Sequence, residues 1–235
     1  MITDTIQGTK YRKIISLIAF SVVLFVYPVA CTQSDYLSVS ENDISELLTS
    51  SVTELKDVYD GLSNSYGNDL VYNHMLLAKK PDSATIHNSM ILLPQSAAEM
   101  TIMASIDNLL WRESGGKFMS MSSVSSTQRN VWKISRYFEV CQDYPEYIRR
   151  VIKFCSLKKS QIDEHSDDLV RVAIAHPKEF ITEFNELDSS AQLVVLEMLA
   201  LAPNDLTSVF EGKLSRIDTS DSNKFLKVFR VFTKE

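Results

Sequence analysis

The chain has 235 residues, of which 45% are hydrophobic and 23% charged, enough apolar side chain to bury a core and too much for a disordered polymer. Six Gly, six Pro and three Cys exclude collagen-like, low-complexity and disulfide-built designs. A net charge of −6 excludes broad phosphate neutralisation, so no nucleic-acid partner is expected.

In chain order, the first element is not part of the fold. Lys10, Arg12 and Lys13 form a basic collar, and no charged residue follows from Ile14 to Ala30. The apolar run Ile14 to Val26 has the length of a signal-peptide core and falls short of the roughly 20 residues of a bilayer span. It ends in Tyr27-Pro28-Val29-Ala30-Cys31, with a small residue directly before the cysteine and polar Thr32-Gln33-Ser34-Asp35 after it. This stretch resembles the lipobox of bacterial lipoprotein precursors, with Pro28 where a branched aliphatic residue is usual. The resemblance implies that residues 1–30 are a cleaved signal peptide and that the Cys31 thiol carries diacylglycerol. It also implies that the protein sits in the bacterial envelope, on the outer membrane in preference to the inner because Thr32 and not Asp follows the cysteine. The rival reading of the same residues is an uncleaved N-terminal anchor. Removing residues 1–30, where Lys10, Arg12 and Lys13 face only Asp4 for a net of +2, leaves −8 on the remainder.

Residues 31–41 read as a polar tether and 42–113 as an N-terminal helical half. Ser40-Glu-Asn-Asp43 offers caps, and Ile44, Leu47, Leu48, Leu55, Val58, Tyr59 and Leu62 predict one helix of about five turns ending near Gly61. A short helix is expected over 70–79. Another, opened by Pro94, is expected along Ala98, Ile102, Met103, Ile106, Leu109 and Leu110. The Ser/Gly-rich segment 114–127 interrupts the pattern as a loop whose Phe118, Met119 and Met121 offer apolar contacts.

Residues 128–235 read as a C-terminal, repeat-like half. Pro145, Pro177 and Pro203 each open a Pro-x-x-apolar-x-x-x-apolar unit behind an apolar helical run, 32 and 26 residues apart. Proline at a helix start punctuates one helix from the next, and Ser166-Asp-Asp168 and Asp188-Ser-Ser190 add cap signals. The expectation is an all-α fold, an irregular stack of helical hairpins that resembles HEAT-like α-solenoids in architecture only. An irregular helical bundle would use the same prolines equally well. The tail 224–232 alternates like a strand over its last five residues but finds no partner strand, so a terminal amphipathic helix is predicted.

Chemistry is sparse. With Cys31 assigned to lipid, Cys141 and Cys155 remain. Their spacing along consecutive helices disfavours a disulfide and favours two core-packed thiols. His74, His87, His165 and His176 form no metal motif, and Asp163-Glu-His165 with Asp167-Asp168 reads as a helix start, so no metal or other cofactor is expected. Ser114-Gly-Gly-Lys117 and Ser156-Leu-Lys-Lys159 match S-x-x-K without the companion motifs of that catalytic class. Trp111, Phe118, Trp132, Tyr144, Tyr147, Arg149 and Arg150 are the residue types that concentrate binding energy and are the candidate partner surface, with core packing the alternative use of the rings. The functional expectation is a lipid-tethered, non-enzymatic interaction module such as an immunity or envelope-assembly protein. The alternatives are an envelope hydrolase with a serine or carboxylate site in a helical cleft, and a carrier with an enclosed apolar cavity.

Overall fold

A computed structural model describes residues 36–51, 53–79, 81–113, 133–157, 165–217 and 219–233, with the side chains of 111–113 left out. Cys31, Phe118, Trp132 and the whole targeting segment lie outside these, as do both S-x-x-K lysines and the loop 114–127. The described residues form twelve α-helices, one 3-10 turn and no strand, so the fold is an all-α helical stack. Among them no helix is long and apolar enough to cross a membrane.

Helix α1 (Glu41–Thr49) starts where the Ser40 hydroxyl accepts the Asp43 amide, and it buries Ile44, Leu47 and Leu48. The single five-turn helix expected to end near Gly61 is two helices, because hydroxyl groups take over the backbone in between. Thr49 and Ser50 donate to carbonyls of the last turn of α1, and the Ser51 hydroxyl and amide both meet the Glu54 carboxylate, opening α2 (Leu55–Gly61). Helix α3 (Tyr66–Lys79) is longer than the expected 70–79 and is buried along most of its length. Helix α4 (Ser83–Ile91), which the periodicity did not predict, is capped by Asp82 through the Thr85 amide. Helix α5 (Ala97–Glu113) starts three residues after Pro94. The Glu99 carboxylate accepts the Gln95 amide at 2.7 Å, and the Ser96 hydroxyl accepts the Glu99 amide, so the cap is polar and the proline precedes it.

Helix α6 (Ser135–Asp143) runs to the 3-10 turn Pro145–Tyr147, which leads directly into α7 (Ile148–Leu157). Then come α8 (Ser166–Ala175), α9 (Pro177–Asn185), α10 (Ser189–Leu201), α11 (Asn204–Leu214) and α12 (Ser220–Phe232). All three expected prolines stand at helix starts: Pro177 at the first turn of α9, Pro145 opening the 3-10 turn, and Pro203 as the cap residue of α11. Asp188 caps α10 by accepting the Ser190 and Ala191 amides at 2.9 and 3.0 Å. At α8 the cap position falls on His165, one residue before the expected serine. The tail is helical and opens with a reciprocal Thr219–Ser222 cap.

The C-terminal helices pack on second and third neighbours along the chain: α6 on α8, α8 on α10, α10 on α12, α7 on α9 and α9 on α11, with α7 also on α10 and α8 on α11. Helix α8 is the centre, touching α6, α9, α10 and α11 and burying Leu169, Val170, Val172 and Ala173. In the N-terminal half α3 plays this part, with α1, α2, α4 and α5 around it. A single apolar core runs through both halves, from Ile44 to Phe229.

Candidate functional site

The two halves are joined by side chains. His74 of α3, fully buried, accepts the Lys133 amide on Nε2 at 3.0 Å, which places the ring proton on Nδ1, 3.1 Å from the hydroxyl of the fully buried Tyr137. Gln95 donates to the Arg150 carbonyl, Arg150 donates to the Ile91 carbonyl at 2.8 Å, and His87 meets the Tyr147 hydroxyl at 3.1 Å. Two members of the candidate partner surface, Tyr147 and Arg150, are therefore part of the seam between the halves. Tyr144, half-buried, packs against the core. Trp111 lies in α5 with its side chain undescribed, and Phe118 and Trp132 fall outside the described residues, so the structure does not bring the seven residues together on one surface.

Arg149 points elsewhere. It lines an open cleft of about 390 Å³ between α7, α9 and the start of α10. Arg149 and Lys153, one turn apart on α7, form one wall, and Glu183, Glu186 and Asp188 form the other, with Ser156, Leu157, Leu187, Ser190 and Ala191 completing it. Arg149 Nε stands 3.8 Å from Glu183 Oε2, an ion pair without a hydrogen bond, and Arg149 is two-thirds exposed. That Glu183 oxygen is buried and accepts no hydrogen bond from the described residues. Both cleft serines hold to their own helices: Ser156 donates to the Lys153 carbonyl at 2.7 Å and Ser190 to the Asp188 cap carboxylate at 2.7 Å. Of the four histidines, none lines the cleft.

Elsewhere among the described residues the polar side chains bond to one another. Asp69 accepts the Tyr36 and Tyr59 hydroxyls at 2.6 and 2.5 Å. Burial, with these bonds next, raises both phenols above their ordinary range. His165 meets Asp168 at 3.2 Å and stacks on Phe138, and among the described residues no group of three His, Cys, Asp or Glu is placed to hold a metal. Cys141 and Cys155 are buried as thiols, and burial together with the neighbouring Cys155 pushes the Cys141 thiol far above its ordinary range. Sequence reasoning found Arg149 but not Glu183, Glu186 or Asp188. Arg149 and Glu183 are 34 positions apart and meet through the stacking of α9 on α7.

No protein-family model, curated protein or solved structure matches the chain.

Proposed function

We propose that the chain is an anchored, extracytoplasmic interaction protein of the bacterial envelope, held on the membrane by lipid on Cys31 and binding a charged segment of a protein partner in the cleft between α7, α9 and α10. The observation that carries the cleft reading is its pair of opposed charged walls, Arg149 and Lys153 against Glu183, Glu186 and Asp188, with Arg149 3.8 Å from a Glu183 Oε2 that accepts no hydrogen bond among the described residues. Opposed basic and acidic walls fix the register of a partner segment. The anchor reading rests on the basic collar, the apolar run and Ala30-Cys31 in that order.

Each half of the proposal has its own measurement. Metabolic labelling with a tagged fatty acid is expected to mark the wild-type chain and not Cys31→Ala. An intact mass that still includes Met1 and no lipid overturns the anchor. The mature chain is expected to retain a stoichiometric envelope protein on affinity capture, and Glu183→Gln and Arg149→Glu to lose it. Capture of nothing, or equal capture by wild type and both variants, overturns the cleft as the binding site.

A further inference from the structure

The described body begins at Tyr36, and Tyr36 is fixed. Its hydroxyl donates to Asp69 of α3 at 2.6 Å and its ring meets Tyr66 edge-on at 6.2 Å. The following residues lie along the start of α3: a β-carbon placed on Gly67 would stand 3.5 Å from the Ser38 carbonyl and 3.6 Å from Ile44 and Ile102. Five Cα–Cα steps separate Cys31 from Tyr36, so whatever the path, the two are at most about 18 Å apart. That is comparable to the radius expected of a body this size. An anchor at Cys31 therefore sets which end of the stack meets the bilayer.

We propose that the α1–α2 end, with the α2–α3 turn, is a membrane-apposed surface whose occupant is the lipid headgroup layer, and that the stack carries α10 to α12 and the cleft away from it. This rests on the N-terminal anchoring proposed above and holds for an acylated cysteine and an uncleaved apolar segment alike, since both end within a few residues of Cys31. The α2 edge exposes Glu54, Asp57 and Asp60 against Lys56, and Lys56 is engaged by Asp60. Charge does not draw this acidic edge to an anionic leaflet, so the short tether is what holds it there. The basic and apolar stripe of α12, Lys224, Lys227, Val228 and Val231, belongs to the opposite end, since α12 packs only on α9, α10 and α11 among its principal neighbours.

The test places a fluorophore on a single new cysteine in the full chain purified from membranes. The positions are Asn64→Cys in the α2–α3 turn and Asn223→Cys on α12, both exposed, with the unsubstituted chain giving the background. The chains are reconstituted in phosphatidylethanolamine–phosphatidylglycerol vesicles containing an acceptor-labelled lipid. Energy transfer is expected to be several-fold stronger from position 64 than from position 223. A chain that does not float with the vesicles overturns the anchor and this orientation with it. A chain that floats and shows equal transfer, or more from position 223, overturns the orientation alone.

Discussion

Asn68 shows how much one amide can settle. Fully buried at the start of α3, it donates through Nδ2 to Asp43 Oδ2 at 3.1 Å and to the Ser63 carbonyl at 2.8 Å, tying α1 and the α2–α3 turn to α3. The bond from Asn68, with that from Ser40 next, holds the Asp43 carboxyl below its usual range. A carboxyl depressed in the folded state contributes stability above its unfolded value near pH 3.8, and that contribution is lost as pH falls through the lower folded value. Asn68→Asp keeps the shape but turns the donor into an acceptor facing two acceptors, one of them charged. The expected cost is about 1–3 kcal/mol, read as a lowered urea midpoint at neutral pH. The gap to wild type should narrow as pH falls, starting above the ordinary carboxylate range, because burial and the facing Asp43 carboxylate favour the protonated form of the introduced carboxyl, which can donate again. An unchanged midpoint at neutral pH would show that the bond carries no stability. Cys141 makes a second residue-scale prediction. With its thiol buried and its ionisation suppressed, it should resist maleimide in the native chain and react only after denaturation, and labelling without denaturant would contradict the packing described.

At the scale of elements, α12 is held by aromatic rings. Phe225 meets Phe184 at 4.8 Å, Phe210 at 5.9 Å, Phe229 at 6.0 Å and Phe180 at 6.5 Å, so one side chain locks α12 onto α9 and α11. Phe225→Ala should cost about 3–5 kcal/mol, while Val231→Ala, 61% exposed on the other side of the same helix, should stay within about 0.5 kcal/mol. Equal losses would mean that the ring cluster is not what fixes the helix. Phe225 and Phe229 were legible as an apolar face in the sequence, because a terminal helix has one face to bury. The C-terminal helix starts were legible for a different reason, since Pro177 and Asp188 act on the backbone next to them whatever the tertiary setting. The break between α1 and α2 was not legible, because Leu47, Leu48, Leu55 and Val58 keep helical spacing across it and only the competing hydroxyls of Ser50 and Ser51 mark it. The site divides the same way. An exposed Arg149 announces itself by residue type, whereas its partner Glu183 and the diversion of Tyr147 and Arg150 into the seam depend on contacts with residues 34 or more positions away.

For the whole molecule, burial of tyrosine links the halves to pH. Tyr66 donates to the Leu92 carbonyl at 2.6 Å inside the N-terminal half, and Tyr137 meets His74 at the seam. Burial raises both phenols well above their ordinary value, with the charge of Glu99 adding to the effect at Tyr66. A group whose folded value is raised contributes stability that is complete below the unfolded value, here about 10, and is lost as pH rises towards the folded one. Above about pH 10 the unfolded chain releases protons that the folded chain retains, so stability should fall by about 1.4 kcal/mol per pH unit for each of these two tyrosines. Because one lies in the first half and the other at its junction with the second, and one core runs through both, the loss should be a single cooperative transition. The check is an alkaline titration followed by tyrosinate absorbance and far-ultraviolet circular dichroism on one sample. Ionisation of the last tyrosines should coincide with loss of helix. Full ionisation of every tyrosine in the sample with the helical signal intact would show that neither phenol is buried as described. Two separated helical transitions would show that His74, Tyr137 and Lys133 do not couple the halves.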